Sequence, residues 1–230
     1  MDGAAAERAG RRRRIPGWLE LLILLAIALA LSVAVKTFLV QMFFVPSESM
    51  EPLFIRDDRI LVQKVSYWTG DVQRGDVVVF EDRDGWLTST PALNPIQQVL
   101  STVGLYPTGG HLVKRVIGVG GDKVECCDIQ DRVTVNGVPL DEGSYIAPGS
   151  KPSVQPFAVT VPKGRLWVMG DNRANSEDSR FHMNLEGNGT IAADSVVGKV
   201  WLIVWPAGRW THVTRPETFD QPQLTAASGS

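Results

Sequence analysis

Leu112-Val113-Lys114-Arg115-Val116-Ile117-Gly118 sets two adjacent cations inside an otherwise apolar run. The branched residues Val113, Val116 and Ile117 favour a strand, and Gly118-Val119-Gly120-Gly121-Asp122 reads as the turn that follows. Alternate side chains of a strand share a face, so Lys114 is expected beside Leu112 and Val116 while Arg115 points the opposite way. A lysine so placed is either a snorkelling residue at a sheet edge or an amine withdrawn from water. Withdrawal has a chemical consequence: burial lowers a lysine pKa from near ~10.4 toward working pH and leaves the neutral amine able to accept a proton.

Outward from this stretch, short Val-rich runs recur at Arg59 to Val65, Asp76 to Phe80, Val133 to Val135, Phe157 to Val161, Leu166 to Met169 and Val196 to Val204. Asn136-Gly137 signals a two-residue hairpin, and Pro162-Lys163-Gly164 another turn. The chain therefore reads as mainly β. Residues 82–110 break the rhythm with a composition rich in Pro, Gly, Ser and Thr, apart from Ile96, Val99, Leu100, Val103, Leu105 and Tyr106 at roughly helical spacing. They read as a small surface insertion whose apolar face packs on the core or touches a bilayer.

With 230 residues, 44% of them hydrophobic, and a net charge of −2, the chain can bury one sizeable core and shows no global charge that would attract nucleic acid. Its charge is locally asymmetric. Arg8 and Arg11 to Arg14 precede an apolar segment, Trp18 to Val35, that carries only Glu20, and apolar character resumes beyond Lys36. A single transmembrane helix over residues 18–43 is expected, with a disordered basic tail, residues 1–17, kept cytoplasmic. Ser32-Val33-Ala34 would also pass as the cleavage site of a signal peptide. Residues 44–212 then form the main domain, and a polar tail over 213–230 is expected to be disordered.

Directly after the apolar segment comes Pro46-Ser47-Glu48-Ser49-Met50-Glu51-Pro52. Ser47 and Ser49 are two apart, so in extended chain both hydroxyls project to one side, where one can attack and the other donate a hydrogen bond. A third block, Met169-Gly170-Asp171-Asn172-Arg173-Ala174-Asn175-Ser176-Glu177-Asp178-Ser179-Arg180, is dense in hydrogen-bonding groups and reads as a tight loop. Taken singly, these blocks are a solvated turn, a surface lysine and a structural loop. Together, and in this order, they resemble the bacterial type I signal peptidase family over roughly Trp18 to Pro206.

That resemblance implies a β-rich extracytoplasmic catalytic domain of antiparallel sheets behind a single-pass anchor in the cell membrane, and a serine endopeptidase that removes signal peptides from secreted preproteins. Ser49 would be the nucleophile and Lys114 its base. Ser47, with the Ser49 N–H, would form the oxyanion hole, Ser176 would orient the Lys114 amine, Asp178 and Arg180 would pair to hold the loop, and Gly170 would allow close backbone approach. Val45, Pro46, Met50, Phe54 and Val113 would line shallow pockets that admit small residues at −1 and −3 of the substrate. The implied partners are preproteins, membrane lipid and the neighbouring secretion machinery, with no metal or cofactor. Ala174 and Leu53 depart from the family pattern, which usually has Asp and Thr there.

Cys126 and Cys127 are adjacent, and a vicinal disulfide, two free thiols and intermolecular pairing all remain open. His111, His182 and His212 show no zinc-ligand spacing, and phosphate-binding and dinucleotide motifs are missing from the sequence. Two other functions fit part of the pattern: a self-cleaving Ser-Lys protease, and a catalytically silent, membrane-tethered peptide-binding protein.

Overall fold

Val77 to Phe80 and Val116-Ile117 are buried on both faces of the strands that carry them, so the middle of the main sheet is covered above and below. The computed structural model describes residues 16–35, 39–87, 94 and 110–226. Its helix α1 spans Gly17–Ala34 and a short α2 spans Ser66–Thr69. The strands are β1 Val40–Phe44, β2 Arg59–Gln63, β3 Val77–Glu81, β4 His111–Val119, β5 Lys123–Cys126, β6 Val133–Val135, β7 Val138–Pro139, β8 Phe157–Thr160, β9 Arg165–Met169, β10 Ile191–Ala192, β11 Val196–Trp205 and β12 Thr211–His212.

The main sheet runs β1-β2-β11-β3-β4-β9-β10, with β12 on β11, and every pair is antiparallel. A second antiparallel sheet runs β7-β6-β5-β8. Asn136 and Gly137 join β6 to β7 with φ of 53° and 78°, the double left-handed turn that an Asn-Gly pair favours. Val78 lies opposite Lys114 in the β3–β4 pairing, and Val77 opposite Arg115, so the two cations leave the sheet on opposite faces. On the Lys114 face Val78, Phe80, Trp86, Val116 and Val168 cluster; on the other, Ile117, Trp167 and Met169 pack against Val124, Val133, Val135 and Phe157 of the second sheet.

The structure differs from the sequence reading in two places and selects among the alternatives left open in a third. A helix over 18–43 is not what the chain forms: α1 closes at Ala34, and Val40–Phe44 hydrogen-bonds to β2 in register from Val40↔Gln63 to Phe44↔Arg59. The strand forms because alternation buries Phe43 against the core while Met42 and Phe44 stay exposed. Among the described residues no helix is long and apolar enough to cross a membrane; the 18 residues of α1 extend about 27 Å. Residues 213–230 are not a disordered tail throughout, since a 3-10 turn at Glu217–Asp220 and a helical turn at Pro222–Ala226 bury Phe219 and Leu224 in the core of the second sheet. Thr218 Oγ1 accepts the Asp141 N–H at 2.7 Å, and Arg74 Nη1 donates to Leu224 O at 3.1 Å, which ties this segment to both sheets. Lastly, Cys126 and Cys127 are joined as a vicinal disulfide at the end of β5. The basic tail before residue 16 and the helix expected over Ile96 to Tyr106 lie outside the described residues.

Removing the Phe219 ring would leave a cavity between Tyr145 and Gly75, which it now fills. Phe219→Ala is expected to cost about 3 kcal/mol in urea unfolding, whereas a disordered tail would leave the midpoint unchanged.

Candidate active site

The chain leaves β1 at Val45, whose N–H donates to Asp58 O (2.9 Å) and whose carbonyl accepts the Asp57 N–H (3.0 Å), so residues 46–56 form an excursion closed at its base. Arg209 clamps that base by donating to both carboxylate oxygens of buried Asp58 at 3.0 Å. Met50 and Phe54 plug into the core on either side of Glu51-Pro52-Leu53, which fixes Ser49 at the edge of the buried cluster.

Lys114 reaches Ser49 from β4. Its side chain is withdrawn from solvent, at 3% exposed, and Nζ donates to Ser49 Oγ at 2.7 Å. Ser47 Oγ lies 3.2 Å from Ser49 Oγ, although the chain turns at Glu48 to Glu51 and is not extended there. Burial is the largest influence on the Lys114 amine and lowers its pKa from the ordinary value of 10.5 to about 8. Asp178, Asp171 and Glu177 pull the value upward and Arg180 pushes it down, but burial outweighs the upward pull.

The loop after β9 closes over this pair. Arg180 donates to both oxygens of Asp178 at 2.8 and 2.7 Å, and the Gly170 N–H donates to Asp178 Oδ2 at 3.0 Å. Burial would raise the Asp178 pKa, yet the Arg180 bonds outweigh it and hold the carboxyl below its usual range. Arg115, on the opposite face of β4, grips Asp171 at 2.8 and 2.6 Å, while Arg173 grips Glu142 at 2.9 and 2.6 Å and donates to Gly170 O at 2.9 Å. All three guanidinium–carboxylate pairs are buried and bidentate, so the loop is rigid and its net charge beneath the surface is balanced. Gly170 touches the Ser49 segment itself. A Cβ there would overlap Ser49 O and Ser176 Oγ.

Two expectations change here. Ser176 is buried, but its hydroxyl makes no hydrogen bond: the Lys114 amine is directed to Ser49, and Ser176 Oγ lies against Gly170. Of the five residues expected to line the substrate pockets, Val45, Met50 and Phe54 are fully buried core, because their apolar side chains are what anchors the excursion; Pro46 and Val113 retain accessible surface. Leu53 packs partly on that core and Ala174 is exposed, and neither contacts the dyad through a hydrogen bond. Asp171, Asn172, Arg173 and Glu142 were not assigned roles from sequence. The signal was present for one of them, since an arginine alternating with a buried lysine on a central strand needs a buried carboxylate partner.

A groove of about 1070 Å³ lies on the Arg115 side, between Tyr145, Arg132, His212 and Arg215, and neither Ser49 nor Lys114 lines it. Among the described residues no cluster of His, Cys, Asp and Glu could hold a metal ion.

The family model for signal peptidase, peptidase S26, matches residues 18–205. That span covers the serine segment, the lysine strand and the closing loop. This chain belongs to the signal peptidase S26 family. Signal peptidase I of Mycobacterium tuberculosis (strain ATCC 25618 / H37Rv) is 41% identical over 218 residues, 83% of this chain and 74% of its own length. The probable signal peptidase I of Mycobacterium leprae (strain TN) is 38% identical over 88% of this chain and 81% of its own, and signal peptidase IB of Staphylococcus aureus (strain COL) 33% over 86% and 95%. These matches extend over most of each chain, so the likeness is to whole proteins and not to one motif.

Lowering the Lys114 pKa has a thermodynamic counterpart. Between pH 8 and 10.5 the unfolded chain binds a proton that the folded one has lost, so this group's contribution to stability rises with pH in that window and is fully unfavourable below it. Lys114→Met is therefore expected to stabilise the fold at pH 7 by on the order of 2–3 kcal/mol, an advantage that shrinks by most of that amount at pH 10. Urea unfolding of both proteins at the two pH values checks it.

Proposed function

We propose that this protein is a serine endopeptidase that removes N-terminal signal peptides from secreted preproteins. One observation carries the proposal: a buried lysine amine, with its pKa lowered to about 8, donates at 2.7 Å to the hydroxyl of a serine at the edge of the core. A silent peptide-binding protein has no use for such an amine, and the family membership of the chain favours the peptidase.

In its neutral form Lys114 takes the proton of Ser49, and Ser49 Oγ attacks the scissile carbonyl. The Ser49 N–H and the Ser47 hydroxyl donate to the resulting oxyanion. Lys114 then passes its proton to the departing amine, and as a base again it activates the water that hydrolyses the acyl-enzyme. Ser49 Oγ can no longer serve as a proton donor once acylated, and Ser176, whose hydroxyl is buried and unpartnered, is the group assigned to hold the Lys114 amine at that stage. The substrate adds to the site as an extended strand. Buried Val45, Met50 and Phe54 set a shallow floor beneath Pro46 and Val113, which suits small side chains at −1 and −3.

The same proposal puts the enzyme on a membrane. The large apolar side chains of α1 are exposed on all sides of the helix, and a water-facing helix does not have that pattern. Met42 and Phe44 of β1, with Trp205 and Trp210 near the end of β11, continue the exposed apolar surface onto the sheet. A single-pass anchor with the arginine cluster in the cytoplasm and the catalytic domain outside accounts for both.

Mass spectrometry of a synthetic signal peptide bearing Ala-x-Ala is expected to show one cut after the second Ala, lost by about a thousandfold or more in Ser49→Ala and Lys114→Ala. Because the neutral amine is the active form, kcat/KM should rise with pH to a midpoint near 8. Cleavage that survives Ser49→Ala would overturn the assignment of the nucleophile. Gly170→Ala, which drives a methyl into Ser49 O, is expected to lower kcat/KM at least a hundredfold.

A further inference from the structure

One peptide unit next to the nucleophile is held unusually firmly. The Glu48–Ser49 bond presents the Glu48 carbonyl on one side and the Ser49 N–H on the other. Asn172 Nδ2 donates to Glu48 O at 3.2 Å and the Glu51 N–H donates to the same oxygen at 3.1 Å. Asn172 also donates its own N–H to Ser49 O at 3.1 Å, so a single residue grips the peptide units before and after the nucleophile's Cα. Asn175 adds a contact from Nδ2 to Glu48 Oε2 at 3.2 Å, and its N–H holds Asn172 O at 3.0 Å. The Ser49 N–H itself meets no protein acceptor among the described residues.

We propose that Asn172 is a positioning residue for the oxyanion site: its side-chain amide, by holding Glu48 O, aims and polarises the Ser49 N–H. The carbonyl and N–H of a trans peptide point in opposite directions, so fixing Glu48 O toward the loop directs the N–H away from it. Two donors on one carbonyl also draw density toward oxygen and strengthen the amide N–H as a donor, the cooperative effect of linked hydrogen bonds. Asn172 is only half-buried, and the neighbouring ion pairs of the loop do not pass through it, so its amide serves this peptide more than it serves the fold. The inference rests on Ser49 being the nucleophile.

The test compares Asn172→Ala and Asn172→Asp with the intact protein in detergent, using an Ala-x-Ala signal peptide as substrate and a peptide aldehyde of the same sequence as probe. The Ala variant keeps the backbone bond to Ser49 O and loses only the amide. The aldehyde forms a hemiacetal with Ser49 and puts its oxygen where the oxyanion would sit. Expected for Asn172→Ala is a fall in kcat of about tenfold, with KM within about twofold, and an aldehyde affinity that drops in parallel. The pH midpoint and the thermal unfolding temperature should stay as they are. Asn172→Asp, which sets a carboxylate against Glu48 O, should lose more. Unchanged kcat and aldehyde affinity in the Ala variant would overturn the proposal, as would losses that come with an equal rise in KM, a shifted pH midpoint and a lowered unfolding temperature. Failure of the underlying assignment looks different: Ser49→Ala would then retain cleavage and aldehyde inhibition.

Discussion

Withdrawing the Lys114 amine from water is the constraint on which the rest of the site depends. An ammonium group at 3% exposure is costly, and the fold meets that cost by letting the group approach neutrality and not by giving it a carboxylate of its own. A direct ion pair would have raised the pKa and kept the amine protonated. The buried carboxylates of the surrounding loop each have a guanidinium partner: Asp178 is taken by Arg180, Asp171 by Arg115 and Glu142 by Arg173. Breaking any pair would change the electrostatic balance at Lys114 as well as the stability of the loop.

The opposite faces of β4 divide this labour. Lys114 faces the serine, and Arg115, one residue on, faces the second sheet and anchors the start of the loop through Asp171. Period-two alternation thus lets two neighbouring cations sit in different environments, Arg115 bonded to a carboxylate and Lys114 to a serine hydroxyl. Gly170 links the two sides, because only a residue without a Cβ lets the loop backbone come against Ser49 O and the Ser176 hydroxyl at once.

Much of this was legible in the sequence where local pattern and tertiary demand agree. The strand over Val133–Val135 and its Asn136-Gly137 turn and the strand carrying Lys114 follow from periodicity and turn chemistry, and the neighbouring hydroxyls of Ser47 and Ser49 from their spacing, whereas the meeting of Ser49 with Lys114 was expected from the family resemblance alone. β1 was hidden because apolar character resumes beyond Lys36 and runs on into Val40–Phe44, and only its pairing with β2 separates strand from helix. The segment over 217–226 was hidden for the converse reason: its polar composition masks Phe219 and Leu224, whose burial depends on a cleft formed by residues far away in the chain. Ser176 was placed near the right partners, but the direction of a hydroxyl is set by which donors are already engaged, and sequence does not record that.

A Ser49–Lys114 pair working as proposed would also explain why the segment around Ser49 is braced so heavily. In a serine-histidine system a third residue orients the base, whereas a lysine has a long flexible stem and three equivalent donors, so its aim must come from the walls around it. Here the stem is fixed by burial against Val78, Leu112 and Val116 on its own face, and the target is fixed by bonds from the 170–180 loop to Glu48 and Ser49. Precision is thus moved from the base to the backbone around the serine. If so, substitutions that loosen residues 46–54 without touching either dyad member should be as damaging to turnover as a change in the lysine's environment, because a displacement on the order of 1 Å between reacting atoms is enough to cost about a hundredfold in rate.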